Sequence, residues 1–322
     1  MSAIPVGPAK IRAVGALRLL TWTALEASGV DTAVTARSGG VSSGPYATLN
    51  LSLSVGDDPA RVLENRRRLA AALRVTPGDF VFARQVHGAG VRIVGEADRG
   101  SGAFSPDDAI PDVDALVTTA PGLVLAVLSA DCVPVVLHDP VTGVLACVHS
   151  GWRGTVARVC QAAVVAMESL GSRPSDILAG VGPAVAPSRY QVGADVHQAV
   201  TRAFGSAATA FLRPDSVADH WLLDMWAANR FVLREAGVPD PRIHVTDLPT
   251  GPTRRPDPTV STDPAAFAGT TDPADSTSHG YFFSDRAVRP CGRLALVARL
   301  RAPGQNPWFR PPPSLVCPLP GD

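Results

Sequence analysis

The sequence predicts an α+β fold, a single domain whose mixed β-sheets are flanked by helices. Three observations carry this. Short β-rich runs and helical runs are interspersed without the strict alternation of a doubly wound sheet. Gly, Ser and Pro clusters bound most of the β-rich runs. The 322 residues, 46% apolar and 18% charged, suffice for one large globular core.

Taken in order, residues 1–16 read as a loose leader. A strand is expected around Leu17–Leu25, and "VTARSGGVSSGPYATLNLSLSVGDDP" then reads as an ordered loop. A helix should start after Asp58, which can cap it, with Pro59 in the first turn and Val62, Leu69, Ala70 and Leu73 at helical spacing. Residues 80–86 and 91–95 read as strands on either side of Gln85-Val86-His87-Gly88, and 98–113 as a polar loop. Four β-rich runs follow at Ala115–Thr119, Leu123–Ser129, Val133–Leu137 and Val144–His149. Thr155–Leu170 has the length and alanine content of a helix, and Ile177–Val181 that of a strand. Helices are expected near Ala194–Phe204 and Leu223–Glu235, the second ended by Gly237 and Pro239, with a strand at 242–247. The domain therefore spans 17–302. It carries a poorly ordered insertion at 249–279, where Pro, Thr, Asp, Ser and Gly dominate, and ends in a proline-rich tail, 303–322.

Composition narrows the function. Lys plus Arg equals Asp plus Glu at 29 each, so no global field steers polyanions, and nucleic acid is not an expected partner. Five cysteines without the spacing of a disulfide scaffold fit a reducing, cytoplasmic setting. The N-terminal apolar stretch is broken by Gly15, Arg18 and Thr21, and no run approaches the roughly 18 apolar residues of a membrane span. A monomer or weak dimer with no membrane partner is expected.

The chemistry concentrates in "VLSADCVPVVLHDPVTGVLACVHSGWRGT", residues 127–155. His87, Cys132 and His149 each sit at or near a strand end beside Gly or Pro. One strand–turn–strand excursion separates Cys132 from His149 and can return them to one place. Two imidazoles and a thiolate suit zinc and leave a position open for water or substrate. The alternative stands beside this: a lone buried Cys is commonly a small hydrophobe and a lone His a satisfied core residue. Cys147 and Cys160 read as core, with Cys147 on the same strand face as His149, and His138 reads as a structural residue at a turn edge. Arg153, before the expected helix at Thr155, and Arg37, beside the flexible Gly39-Gly40, could together frame an anion. Asp131 could orient a histidine or take a proton, or equally cap a turn.

Five segments occur in this order: "TARSGGVSSGPYATLNLSLSVGDDPARVLENRRRLAAAL", "RQVHGAGV", "DALVTTAPGLVLAVLSADCVPVVLHD", "VHSGWRGTV" and "GVGPAVAPSRYQVG". Together they resemble the laccase-domain, or polyphenol-oxidase-type (YfiH-like), family, understood as zinc-dependent purine nucleoside phosphorylases. The resemblance runs from about Val34 to Gly237 and resumes at "YFFSDRAVRPCGRLALV". It implies a single α+β domain and one zinc held by His87, Cys132 and His149. It also implies phosphorolysis of adenosine, inosine, guanosine or methylthioadenosine by inorganic phosphate, with adenosine deamination at the same site. On that reading Cys132, His149 and Asp131 are catalytic candidates, and Arg37, Arg153 and Arg286 are candidates for phosphate. The chain departs from the family pattern near its C-terminus. Pro249 stands where the family has cysteine, Asp285 where it has tyrosine, and the insertion lies between them.

Other readings keep the same residues. Cys132 with His149 as base would make a cysteine hydrolase acting on amides such as cell-wall precursors. Copper oxidation of phenols would want a weak axial Met and more histidines than the seven present, and Met1, Met167 and Met225 adjoin none of the motifs. A nucleotide-binding protein with a structural zinc would show no turnover.

Overall fold

The structure is a computed structural model and describes residues 3–251 and 280–309. The expected insertion falls almost wholly at 252–279, and most of the expected tail at 310–322, outside the described residues. The strands, in chain order, are β1 (Ala3–Val6), β2 (Ala9–Val14), β3 (Leu17–Trp22), β4 (Val30–Thr35), β5 (Phe80–Phe82), β6 (Val91–Ile93), β7 (Ala115–Thr118), β8 (Val124–Ser129), β9 (Val133–Asp139), β10 (Val144–Ser150) and β11 (Leu178–Val181). After these come β12 (Ala184–Val185), β13 (Gln191–Val192), β14 (Leu212–Pro214), β15 (Trp221–Leu223), β16 (Ile243–Val245), β17 (Pro249–Thr250) and β18 (Leu294–Leu300). The α-helices are α1 (Thr23–Ala27), α2 (Pro59–Ala72), α3 (Trp152–Val156), α4 (Val159–Glu168), α5 (Ala194–Phe204) and α6 (Met225–Glu235).

Two mixed sheets dominate. One runs β1-β2-β3-β4-β18-β8-β5, the other β16-β11-β9-β10-β7-β6. Residues alternate between faces along each strand, and the alternation builds four layers. Leu20, Val34, Leu125, Val127 and Leu296 of the first sheet meet Leu116, Val136, Leu145 and Cys147 of the second. The outer face of the first sheet buries Leu19, Ala33, Ala126 and Val297 against Leu69, Ala70 and Leu73 at the end of α2. The outer face of the second buries Ala115, Val135, Ala146 and Val148 against α4, α5 and α6. Strands buried on both faces read as continuous apolar runs, which is why β8, β9 and β10 are conspicuous in the sequence. The α+β expectation is met.

Several local expectations are refined. Residues 9–14, expected in a loose leader, pair antiparallel with β3, and Ile11 enters the inter-sheet core, so the first sheet starts before Leu17. The strand expected to reach Leu25 stops at Trp22, and α1 follows. Asp58 caps α2 through the N–H of Ala60, as read, and Asp224 caps α6 through Ala227. The helix expected over Thr155–Leu170 is two helices, broken where Arg158 adopts a left-handed φ of 62°. The break lets α3 cross the end of β10 while α4 lies along the second sheet. Pro249–Thr250, assigned to the insertion, pairs parallel with Ala184–Val185 as β17.

The tail expectation fails at its start. Trp308 and Phe309 are 1% and 6% exposed and pack beneath the first sheet with Leu17 and Leu19. Trp308 lies 5.1 Å from the guanidinium of Arg299, itself buried and paired with Asp31 at 2.9 Å. Phe309 lies 5.2 Å from the guanidinium of Arg12, so each ring of the pair packs on an arginine of the first sheet. Trp308→Ala is therefore expected to cost about 3–5 kcal/mol, within the range for truncating a buried large aromatic. Urea unfolding reads this directly, and an unchanged midpoint would mean that the segment is not part of the core.

Candidate metal centre

The register of the second sheet assembles one site from separate segments. The β9–β10 hairpin pairs His149 with Pro134, so the end of β10 lies beside the residue that follows Cys132. β7 pairs with β10 through Ala115 and Val148, which sets Asp114 next to His149. β6 runs parallel to β7 from Val91 and Ala115, so the 86–90 loop comes to the same end. β5 and β8 are parallel neighbours in the first sheet. His87, after β5, and Cys132, after β8, thus lie on two crossovers from the first sheet to the second.

The donor atoms of His87, Cys132 and His149 all fall within 4.8 Å of one another, and among the described residues this is the one such cluster. The two rings meet edge to face, with centroids 4.8 Å apart. His149 is buried, Cys132 half-buried and His87 exposed, so the cluster opens to solvent on the His87 side. Two imidazoles and a sulfur give a site that could hold a metal through three protein donors.

Asp114, the first residue of "DALVTT", organises the site. Its carboxylate is fully buried and accepts from His149 Nδ1 at 2.8 Å. It also accepts the backbone N–H of Val86 at 3.2 Å, His87 at 3.0 Å and Gly88 at 2.7 Å. Burial works to raise its pKa, but the His149 and Gly88 bonds hold it below the ordinary carboxylate value. With Nδ1 engaged, His149 presents Nε2 to the cluster. His87 sits in the left-handed region at φ 59°, a conformation the Asp114 bonds stabilise. The sequence reading missed Asp114. Its only signals were its place opening a motif and its unusual position just ahead of a fully buried strand.

Without metal, the charges couple. Burial alone would raise the Cys132 thiol, but His149 and His87 lower it to about 6. Burial alone would lower His149, but Cys132 and Asp114 push it up to about 9. Each group favours the charged form of the other.

The "HSGWRGT" glycines are explained by space. A Cβ on Gly151 would lie 2.8 Å from the His87 ring and 3.0 Å from Cys132 Sγ. One on Gly154 would lie 2.9 Å from the carbonyl of Gly88. Ser150, Thr155, Cys160 and Asn229 form a buried polar network behind this turn. In it Ser150 Oγ donates to Asn229 Oδ1 at 2.7 Å and Asn229 Nδ2 donates to Met225 O at 2.9 Å.

The remaining candidates divide. Arg153 lies inside α3 and not ahead of a helix; it is exposed, with its guanidinium 4.4 Å from the Trp152 ring. Arg286 stands 5.4 Å from the ring of Tyr190, and its Nη2 donates to Gln191 O. Asp131, next to Cys132, holds the Arg286 backbone, and α3, which carries Arg153, starts just after Gly151, against Cys132 Sγ, so both arginines stand on segments that adjoin the Cys132 loop. Arg37 is committed elsewhere. Its Nε and Nη2 donate to Ala47 O at 3.1 and 2.8 Å, and it lies against Phe283. Gly39 and Gly40 do not form a phosphate loop, since a Cβ on either would strike Ala16 O or Thr48 O. Asp131 orients no histidine. It accepts from Thr250 Oγ1 at 2.5 Å and from Arg286 N–H at 2.6 Å, so it fastens the C-terminal segment to the Cys132 loop. His138 contacts the carbonyls of Val144 and Ser28, Cys147 lies between the sheets, and Cys160 packs among the helices, all structural as read.

The family model described as multi-copper polyphenol oxidoreductase laccase matches residues 31–301. A purine nucleoside phosphorylase of Deinococcus radiodurans is 45% identical over 211 residues, 66% of this chain and 77% of that protein. Adenosine deaminase RL5, from an unknown prokaryotic organism, is 40% identical over 195 residues, 60% of this chain and 74% of that protein. The crystal structure of YlmD from Geobacillus stearothermophilus superposes with a TM-score of 0.77 at 31% identity, covering 90% of this chain and 98% of that one.

Gly151→Ala tests the steric argument, because φ −75° and ψ 171° at Gly151 suit alanine and only the added methyl intrudes. Metal retained after dialysis should drop to near background while the far-UV circular dichroism stays unchanged; full retention would overturn it. Asp114→Asn should weaken metal affinity by about 10–100-fold, measured by competition with a chromogenic chelator.

Proposed function

The chain belongs to the multi-copper polyphenol oxidoreductase laccase family, and from that premise we propose that it is a zinc-dependent purine nucleoside phosphorylase. It cleaves nucleosides such as adenosine, inosine, guanosine or methylthioadenosine with inorganic phosphate, and it deaminates adenosine at the same site. The observation that carries the proposal is the convergence of His87, Cys132 and His149 within 4.8 Å, with Asp114 on Nδ1 of His149. The names of the two curated relatives, a phosphorylase and an adenosine deaminase, support the two reactions.

The residues fit zinc. Two imidazoles and one thiolate make the mixed N/S donor set of a catalytic site, with a fourth position open on the exposed His87 side. Copper fits less well, because Met167 and Met225 are built into the helix-side core and offer no axial thioether to the cluster. Bound zinc supplies Lewis-acid chemistry and lowers the pKa of water at its open position.

The chain's own groups do the rest. Asp114 holds His149 in one tautomer and orientation. Cys132 and His149 are the catalytic residues of the proposal, and Asp131 is a positioning residue that sets Arg286 against the Cys132 loop. Arg153 and Arg286 hold the phosphate beside the ribose C1′ and stabilise charge as the glycosidic bond breaks. A thiol ligand of this kind suits a cytoplasmic, reducing setting.

Asp114 also favours a second reading. Cys132, His149 and Asp114 make a thiolate, an imidazole and an orienting carboxylate, the set a cysteine hydrolase uses.

Product analysis tests the first reading. Zinc-loaded protein incubated with adenosine should release adenine only when phosphate is present and form inosine in either buffer, and Cys132→Ala should do neither. Absence of base release from adenosine, inosine, guanosine and methylthioadenosine alike would sink the phosphorylase. Alkylation separates the second reading. The lowered Cys132 pKa means that the thiolate is present above about pH 6. Metal-free protein should therefore react with iodoacetamide with a midpoint near 6, well below an ordinary thiol, and zinc should block the reaction. Alkylation undiminished by zinc would point to a free nucleophile and against a zinc ligand.

A further inference from the structure

The motif "GPAVAPSRYQVG" contributes nothing to the His–Cys–His cluster, yet it delivers Tyr190 to the site's edge. The Tyr190 backbone is fixed at both ends. Its N–H donates to Ala186 O at 3.1 Å, and its carbonyl accepts from Leu223 N–H at 3.0 Å. Its ring is half-buried against the helix-side core. Arg286 lies 5.4 Å from that ring, held by the Asp131 carboxylate at its own N–H and by the Gln191 carbonyl at Nη2. Asp131 is the neighbour of Cys132, and α3, which carries Arg153, starts just after Gly151, where a Cβ would lie 3.0 Å from Cys132 Sγ. A half-buried phenol against Arg286, and a second arginine on the helix that follows Gly151, bring hydrogen-bond donors from three segments to the Cys132 side of the cluster.

We propose that Tyr190 is an anion-binding residue, whose hydroxyl donates to a tetrahedral oxyanion that Arg153 and Arg286 hold next to the Cys132 side of the metal cluster. The inference rests on the phosphorylase reading in naming that anion inorganic phosphate. Three donors from three segments suit it: α3 supplies Arg153, the loop before β13 supplies Tyr190, and the segment before β18 supplies Arg286. Burial pushes the phenol pKa up, so the hydroxyl keeps its proton at working pH and can only help an anion. Charged acceptors strengthen such bonds. Asp131 enters through its backbone placement: by taking the Arg286 N–H it sets where the third donor stands.

Tyr190→Phe removes the oxygen and keeps the ring packing, so folding is preserved. Two readouts on zinc-loaded protein test it. Calorimetric titration with inorganic phosphate should show binding to the wild type weakened about tenfold or more in Tyr190→Phe, with zinc content equal. In turnover, KM for phosphate should rise by a similar factor while KM for the nucleoside stays within about twofold. Equal phosphate affinity in both proteins would overturn the proposal, as would a rise in nucleoside KM alone, or a wild type that binds no phosphate. A wild type that binds phosphate, loses it on Tyr190→Phe, yet cleaves no nucleoside would uphold the anion site and discard the phosphorylase.

Discussion

The site depends on one buried carboxylate. Asp114 has no exposure, so its charge survives only if it is fully hydrogen-bonded. It meets that demand with three consecutive backbone N–H groups and one imidazole nitrogen. The need to satisfy the carboxylate and the need to orient two residues of the His–Cys–His cluster are thereby one constraint. The 86–88 loop is wrapped round Asp114 and so holds His87 with a left-handed backbone. His149 is turned by the same oxygen pair. Removing the carboxylate would unmoor a loop and a ring together, leaving Cys132 as the donor that keeps its place.

Cys132 keeps it because the two sheets meet there. Both crossovers from the first sheet to the second leave from parallel neighbours, β5 and β8, and must exit at the same end. A covered sandwich buries its strands but leaves its ends ragged, and the polar residues at those ends are the ones free to serve a reaction. The close approach of His87, Cys132 and α3 leaves no room for a side chain at 151. The glycine in "HSGWRG" therefore reflects neither a turn nor a flexible loop. It marks where two metal donors occupy the volume a methyl would take.

Much of this was legible in the sequence, and the limits have physical causes. Strands with both faces buried announce themselves as apolar runs, so β7 to β10 stood out. The capping residue Asp58 sits at a helix start for the same local reason that makes it readable. The three donors were found because they stand at strand ends with the right chemistry. Asp114 was not found because its role depends on register, which pairs β7 with β10 across an intervening hairpin, and no local pattern encodes that. Arg37 misled for the converse reason: Gly39 and Gly40 beside an arginine look like an anion loop, but those glycines exist to let the chain pass Ala16 and Thr48. The start of the tail misled because composition speaks for the proline-rich whole, whereas Trp308 and Phe309 are two residues with a large apolar area to bury.

Asp131 shows how the C-terminal segment belongs to the site even though it donates nothing to the metal cluster. Its φ of 85° is unfavourable for a residue with a Cβ, and its neighbour is Cys132. From that position the Asp131 carboxylate reaches Thr250 and Arg286. Thr250 lies in β17, next to Pro249, and Arg286 follows Asp285, so both departures from the family pattern flank the residues Asp131 holds. Neither departure touches Asp131's own bonds: Pro249 pairs with Ala184, and Asp285 turns away to Arg289 and Arg293. The altered segment therefore keeps the one contact through which it can position an arginine beside the cluster. Arg286 is thus held at its backbone by the Asp131 carboxylate and at its guanidinium by the Gln191 carbonyl, and neither bond is made by Pro249 or Asp285.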